Sequence, residues 1–200
     1  KWELYYNAGD KTYLINGFTP SAIDSGKFVL PAVYDYVSGD TVKEDVAVIG
    51  IRANAFKNSI YKRQIHNIVI SKGYKDIGES AFAGCSNLMY LDLPDTLVTV
   101  GNYAFLNNTS LKELTVPERL VKIGDSAFAG NTALTKINFE SDSVLNTIGA
   151  SAFSDTAVEM ATLPFNVRYV GANAFSGSKL KEITITNKLC EIGENAFPTG

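Results

Sequence analysis

The strongest constraint on this chain is an internal repeat. Ala-Phe occurs at Ala55-Phe56, Ala81-Phe82, Ala104-Phe105, Ala127-Phe128, Ala152-Phe153, Ala174-Phe175 and Ala196-Phe197, with Phe-to-Phe steps of 26, 23, 23, 25, 22 and 22 residues. A longer phrase surrounds the pair: IGESAF (Ile77 to Phe82), VGNYAF (Val100 to Phe105), IGDSAF, IGASAF, VGANAF and IGENAF (Ile192 to Phe197), with Arg52 replacing the Gly in the first copy, IRANAF. After each Phe come a small polar turn and an apolar triplet of the form LxxLxL, such as Leu88, Leu91 and Leu93 before Pro94, or Leu111, Leu114 and Val116 before Pro117.

The LxL piece has period two, so its apolar residues point one way and the residue between them points the other, as a strand requires. Each repeat is therefore expected to supply one short strand. A coil of roughly 23 residues cannot bury its own apolar face, so coils must stack, each strand pairing in parallel with its equivalent in the next. Stacking turns the columns into ladders, with Phe over Phe and Leu over Leu forming the core. The Gly column fits a turn that needs either positive φ or close backbone approach. Pro94, Pro117 and Pro164 fall after strands, where a missing donor costs little.

The phrase IGxxAFxxCxxLxxLxLP, as it stands from Ile77 to Pro94, resembles the BspA-type leucine-rich repeat family of bacterial surface proteins, over roughly residues 46 to 200. Ordinary leucine-rich repeats share LxxLxL but lack the IGxxAF half and carry an Asn ladder that this pattern does not show. The resemblance implies a β-rich solenoid, a right-handed leucine-rich-repeat superhelix of short parallel strands with about six coils. It also implies an extracellular or cell-surface location and a role in adhesion, and it carries over no catalytic residue.

Residues 1 to 45 read differently. They hold eight of the 22 aromatics (Trp2, Tyr5, Tyr6, Tyr13, Phe18, Phe28, Tyr34 and Tyr36) in short alternating segments that read as strands, with a hairpin turn around Gly9 and Asp10. Four Lys face seven acids there, while the remainder carries fourteen of each sign. Phe28-Val-Leu-Pro31 has the strand-then-proline form of the repeats, so this region is either a degenerate first coil or a small β cap over the solenoid of residues 46 to 200. The chain begins at Lys1 with neither an initiator Met nor a signal peptide and stops just after the seventh Phe, so the natural ends are expected to lie elsewhere or the last coil to fray.

Equipment for chemistry is scarce. The formal charge of -3 weighs against nucleic acid as a partner. No apolar run reaches the roughly eighteen residues of a bilayer span. His66, the single histidine, sits beside a strand and reads as a surface or half-buried residue. Cys85 and Cys190 lie four coils apart, roughly 19 Å at strand spacing, so they are expected to be free thiols. Cys85 occupies the small turn after Phe82, where a packing role is expected. The Asn107 to Ser110 stretch contains glycosylation acceptors that a turn explains equally well. Asp35, Asp40, Glu44 and Asp45 match no calcium-loop spacing. Asp92 and Glu113, on neighbouring coils, resemble a glycosidase pair but lie on an open strand face. No catalytic, cofactor or metal residue is assigned.

What remains is a surface. The outward strand columns include Tyr90 and Asp92, Glu113, Lys136 and Asn138, and Met160. Exposed Tyr and Met among mixed polar residues suit protein recognition. These six are the candidate partner-binding residues of a monomeric, non-enzymatic interaction or adhesion module whose partner is a host or bacterial surface protein. A glycan-binding or spacer module is the alternative, for which the aromatic-rich N-terminal region is the best support.

Overall fold

The computed structural model describes residues 2–7, 12–18, 27–30, 33–38, 41–185 and 191–198. In chain order its strands are β1 (Trp2–Asn7), β2 (Thr12–Phe18), β3 (Lys27–Leu30), β4 (Val33–Ser38), β5 (Thr41–Ile51), β6 (Asn67–Ile70), β7 (Asp76–Ile77), β8 (Tyr90–Asp92) and β9 (Thr99–Val100). They continue with β10 (Glu113–Val116), β11 (Lys122–Ile123), β12 (Lys136–Phe139), β13 (Thr147–Ile148), β14 (Met160–Leu163), β15 (Tyr169–Val170), β16 (Glu182–Ile185) and β17 (Glu191–Ile192). The architecture is a β-solenoid of parallel strands, as the repeat requires.

One expectation needs correcting, because each coil supplies two strands. The LxL segments build one face, with β3, β6 and β8 paired in parallel, then β10 with β12, then β14 with β16. The residues before each Gly build a second parallel ladder, β5-β7-β9-β11-β13-β15-β17, from pieces as short as Thr99–Val100. Two-residue strands are below the length at which alternation is legible, which is why the sequence does not announce them. At the N-terminal end, β1 pairs antiparallel with β2, β2 parallel with β5, and Lys27↔Asn67 sets β3 in register with β6.

The Phe column is the spine of the core. Phe56, Phe82, Phe105, Phe128, Phe153 and Phe175 are fully buried, and Phe197 packs half-buried at the end. Consecutive rings from Phe56 to Phe197 stack at centroid distances of 4.5 to 5.8 Å. The Ala beside the Phe is also buried from the second coil on, with Ala81, Ala104, Ala127, Ala152 and Ala174 at 0% exposure, while Ala55 of the first copy is partly buried.

The AF turn is bonded from coil to coil even though it is not a strand. Phe82, Phe105 and Phe128 each donate their N–H to the Ala carbonyl of the next coil at 2.8 Å. The residue before Ala donates likewise, as Ser80 does to Asn102 and Ser126 to Ala150. The backbone is left-handed at this residue, with φ of 51° to 57° at Ser80, Tyr103, Ser126, Ser151, Asn173 and Asn195. The recurring Gly is therefore present for close approach, while the positive φ falls two residues later on Ser, Asn or Tyr.

A polar column lies beside the rings, three residues after each Phe. Asn131 is buried and its Nδ2 donates to the carbonyls of Phe128 (2.7 Å) and of Phe105 in the preceding coil (2.8 Å). Thr156 and Ser178 make the intra-coil half of this bond, to Phe153 and Phe175. Asn108 is buried in the same column, which removes it as an accessible glycosylation acceptor and leaves the exposed Asn107. Cys85 fills that position in its own coil as a buried free thiol; Cys190 lies outside the described residues. Burial pushes the Cys85 thiol up to about 12, against a weaker opposing pull from Lys62. The thiol stays protonated at physiological pH, so alkylation of the native protein at about pH 8 should spare Cys85 and unfolding should release it, as read by peptide mass mapping. Rapid labelling of the native chain at Cys85 would contradict this packing.

Candidate functional site

The LxL face is a broad surface whose outward side chains are not used by the core. Alternation places them: in β10 and β14, every second residue is buried and the others are exposed. Tyr90, Asp92, Glu113, Lys136 and Met160 are exposed, and Asn138 is half-buried. Tyr90 is 55% and Met160 63% exposed, high values for large apolar groups.

The pairing of this face lapses twice, between β8 and β10 and between β12 and β14. An open depression lies at each break. One, of about 400 Å³, includes Met89, Tyr90, Asp92, Lys112, Glu113 and Glu140 in its lining. The other, of about 820 Å³, is lined by Lys136, Asn138, Phe139, Glu140, Met160 and Phe165 among others. The six sequence-derived candidates thus separate into two groups of three, Tyr90, Asp92 and Glu113 in one and Lys136, Asn138 and Met160 in the other.

Met89, Lys112, Glu140 and Phe165 line the depressions too and were not among the candidates. Phe165 had a legible signal, because the residue after the strand proline is Asp95 or Glu118 in other coils and phenylalanine here, 63% exposed. Glu140 had none: it is placed by its carboxylate, which accepts the backbone N–H of Glu118 in the preceding coil at 2.8 Å. At the rim of the larger depression Lys181 and Glu159 form an exposed ion pair of 3.0 Å, which contributes little to stability.

His66 is half-buried just before β6, and its carbonyl accepts the N–H groups of Met89 and Tyr90. Asp92 and Glu113 share the smaller depression as exposed carboxylates. Among the described residues, no group of three or more His, Cys, Asp or Glu is arranged to hold a metal ion, and no helix is long and apolar enough to cross a membrane.

Comparison with known proteins agrees with this architecture. The chain is similar to a leucine rich repeat protein of T. pallidum, with 23% identity and a TM-score of 0.79 over 96% of this chain and 83% of that one. It is similar to the pneumococcal vaccine antigen PcpA, with 25% identity and a TM-score of 0.73 over 92% of this chain and 47% of that one. A leucine rich cell surface protein of Faecalibacterium prausnitzii A2-165 matches at 22% identity and a TM-score of 0.64, over 94% of this chain and 53% of that one. The chain therefore spans about half the length of the latter two. No curated protein matches. The profile of the BspA type leucine rich repeat region matches residues 49–177 and 146–199, in six copies, and the chain belongs to that family.

Proposed function

We propose that this chain is a non-enzymatic protein-interaction and adhesion module of a secreted or surface-anchored bacterial protein, and that it binds a partner protein on the LxL face. The observation that carries this reading is the gathering of exposed Tyr90 and Met160 with Asp92, Glu113, Lys136 and Asn138 around two adjacent depressions. Family membership and the surface-protein neighbours support an interaction role in general.

Binding energy at such a face concentrates in central large side chains. Against a partner captured from a surface-protein array, Tyr90→Ala and Met160→Ala are each expected to weaken binding by more than about 1 kcal/mol. The melting temperature should barely move, because neither side chain faces the core. Normal binding by both variants, with losses instead from Trp2→Ala, Tyr5→Ala or Tyr34→Ala, would move the site to the N-terminal region.

A further inference from the structure

The near-neutral charge of the whole chain conceals a segregation along it. From Val46 to Lys75 there are six cations, Arg52, Lys57, Lys62, Arg63, Lys72 and Lys75, and no carboxylate, whereas residues 76–200 carry fourteen acids against eight Lys and Arg. Lys72 and Lys75 lie in the connection from β6 to β7, where Lys72 binds Asp95 at 2.8 Å. The other four lie together in the connection from β5 to β6, on the turn edge of the first repeat. Among the residues whose side chains are described, which leave out Glu3, Glu44 and Asp45, no carboxylate is within salt-bridge reach of these four.

They spread along the edge, and Lys57 Nζ reaches Ser80 Oγ of the next coil at 3.5 Å. Arg52 lies 3.9 Å over the Tyr5 ring and donates to Asn16 Oδ1 at 3.0 Å. Lys62 Nζ donates to the backbone carbonyl of Lys57 at 2.9 Å, which ties the Lys62 side chain to the start of the turn. A recess of about 380 Å³ lies on the same edge, its lining including Asn16, Asn58, Ser59, Ile60 and Tyr61 but none of the four cations. Ile60 is 84% exposed, an apolar rim beside amide and hydroxyl groups.

We infer that this turn edge binds an acidic polysaccharide, whose sulfate or carboxylate groups are held by Arg52, Lys57, Lys62 and Arg63 beside the recess. Exposed cations form charge-assisted hydrogen bonds to such oxygens, and Arg does so with two parallel donors. The amides of Asn16 and Asn58 suit sugar hydroxyls, and Ile60 suits the C–H face of a pyranose ring. A bilayer is a flat partner and gains nothing from a polar recess. Stacked bases need an open ring, and the Tyr5 face is covered by Arg52.

The test uses the full chain and heparin as the probe. Retention at about 50 mM salt and release as salt rises are expected, because bound cations displace counterions. The variant Lys57→Ala/Lys62→Ala/Arg63→Ala should bind about tenfold or more weakly. Tyr90→Ala and Lys136→Ala, on the LxL face, should bind heparin as the parent does, so this edge and that face fail or succeed separately. Should the triple variant melt early, Lys57→Gln/Arg63→Gln, which changes only exposed side chains, gives the same reading. Failure of the parent to bind heparin, equal binding by the folded variants, or equal retention on neutral dextran would overturn the inference. Equally tight binding of duplex DNA or phosphatidylserine vesicles would overturn the assignment to a saccharide.

Discussion

Phe128→Ala is expected to destabilise the protein by about 3 to 5 kcal/mol in a denaturant titration, among the largest effects available to a single truncation here. Phe128 is fully buried, with Phe105 at 5.2 Å and 7° on one side and Phe153 at 5.6 Å and 5° on the other. Removing the ring deletes contacts to both neighbours and leaves a cavity that flanking coils cannot close, since their spacing is held by the ladders on either side. Phe197→Ala, at the half-buried end of the stack, has one ring neighbour among the described residues at 5.8 Å, so a smaller loss is expected there. A loss below about 1 kcal/mol at Phe128 would be incompatible with the stacked-coil core.

Gly124→Ala is expected to destabilise by at least about 2 kcal/mol, although the added group is one methyl. Where φ and space allow, Gly→Ala stabilises by about 0.4 to 1 kcal/mol through the unfolded state, so the sign itself is informative. A Cβ on Gly124 would lie 2.6 Å from the backbone nitrogen of Asn102, its Oδ1 and the carbonyl carbon of Gly101. Those atoms belong to the preceding coil, which also accepts the Gly124 N–H at the Val100 carbonyl at 2.8 Å. Relief would lift one coil off the next and break this ladder. A neutral or stabilising result in thermal and denaturant unfolding would mean that the coils are not packed at this distance.

Much of this architecture is legible in the sequence. The Ala-Phe period marks the coils, and the burial of every Phe from Phe82 to Phe175 follows from stacking identical apolar columns. The outward set Tyr90, Asp92, Glu113, Lys136, Asn138 and Met160 follows from period two alone, because alternation is a property of the local backbone. Burial of Cys85 was likewise foreshadowed by its place in a small turn flanked by core residues.

The sequence by itself thus determined the repeat unit, the core columns and which residues face outward, since each depends only on spacing along the chain. Tertiary structure decided what depends on contact between coils. The second ladder rests on two-residue strands that exist only because the neighbouring coil bonds to them. The Gly column is required by the backbone of the preceding coil, and the residue two after each Gly is bonded to a carbonyl in the following coil. The lapses in pairing that sort six outward residues into two depressions are set by how successive coils sit on one another. The acid-free run from Val46 to Lys75 is visible in the letters, but its division between two connections follows from the winding of the chain, because residues ten apart in one coil leave on opposite sides of the same strand.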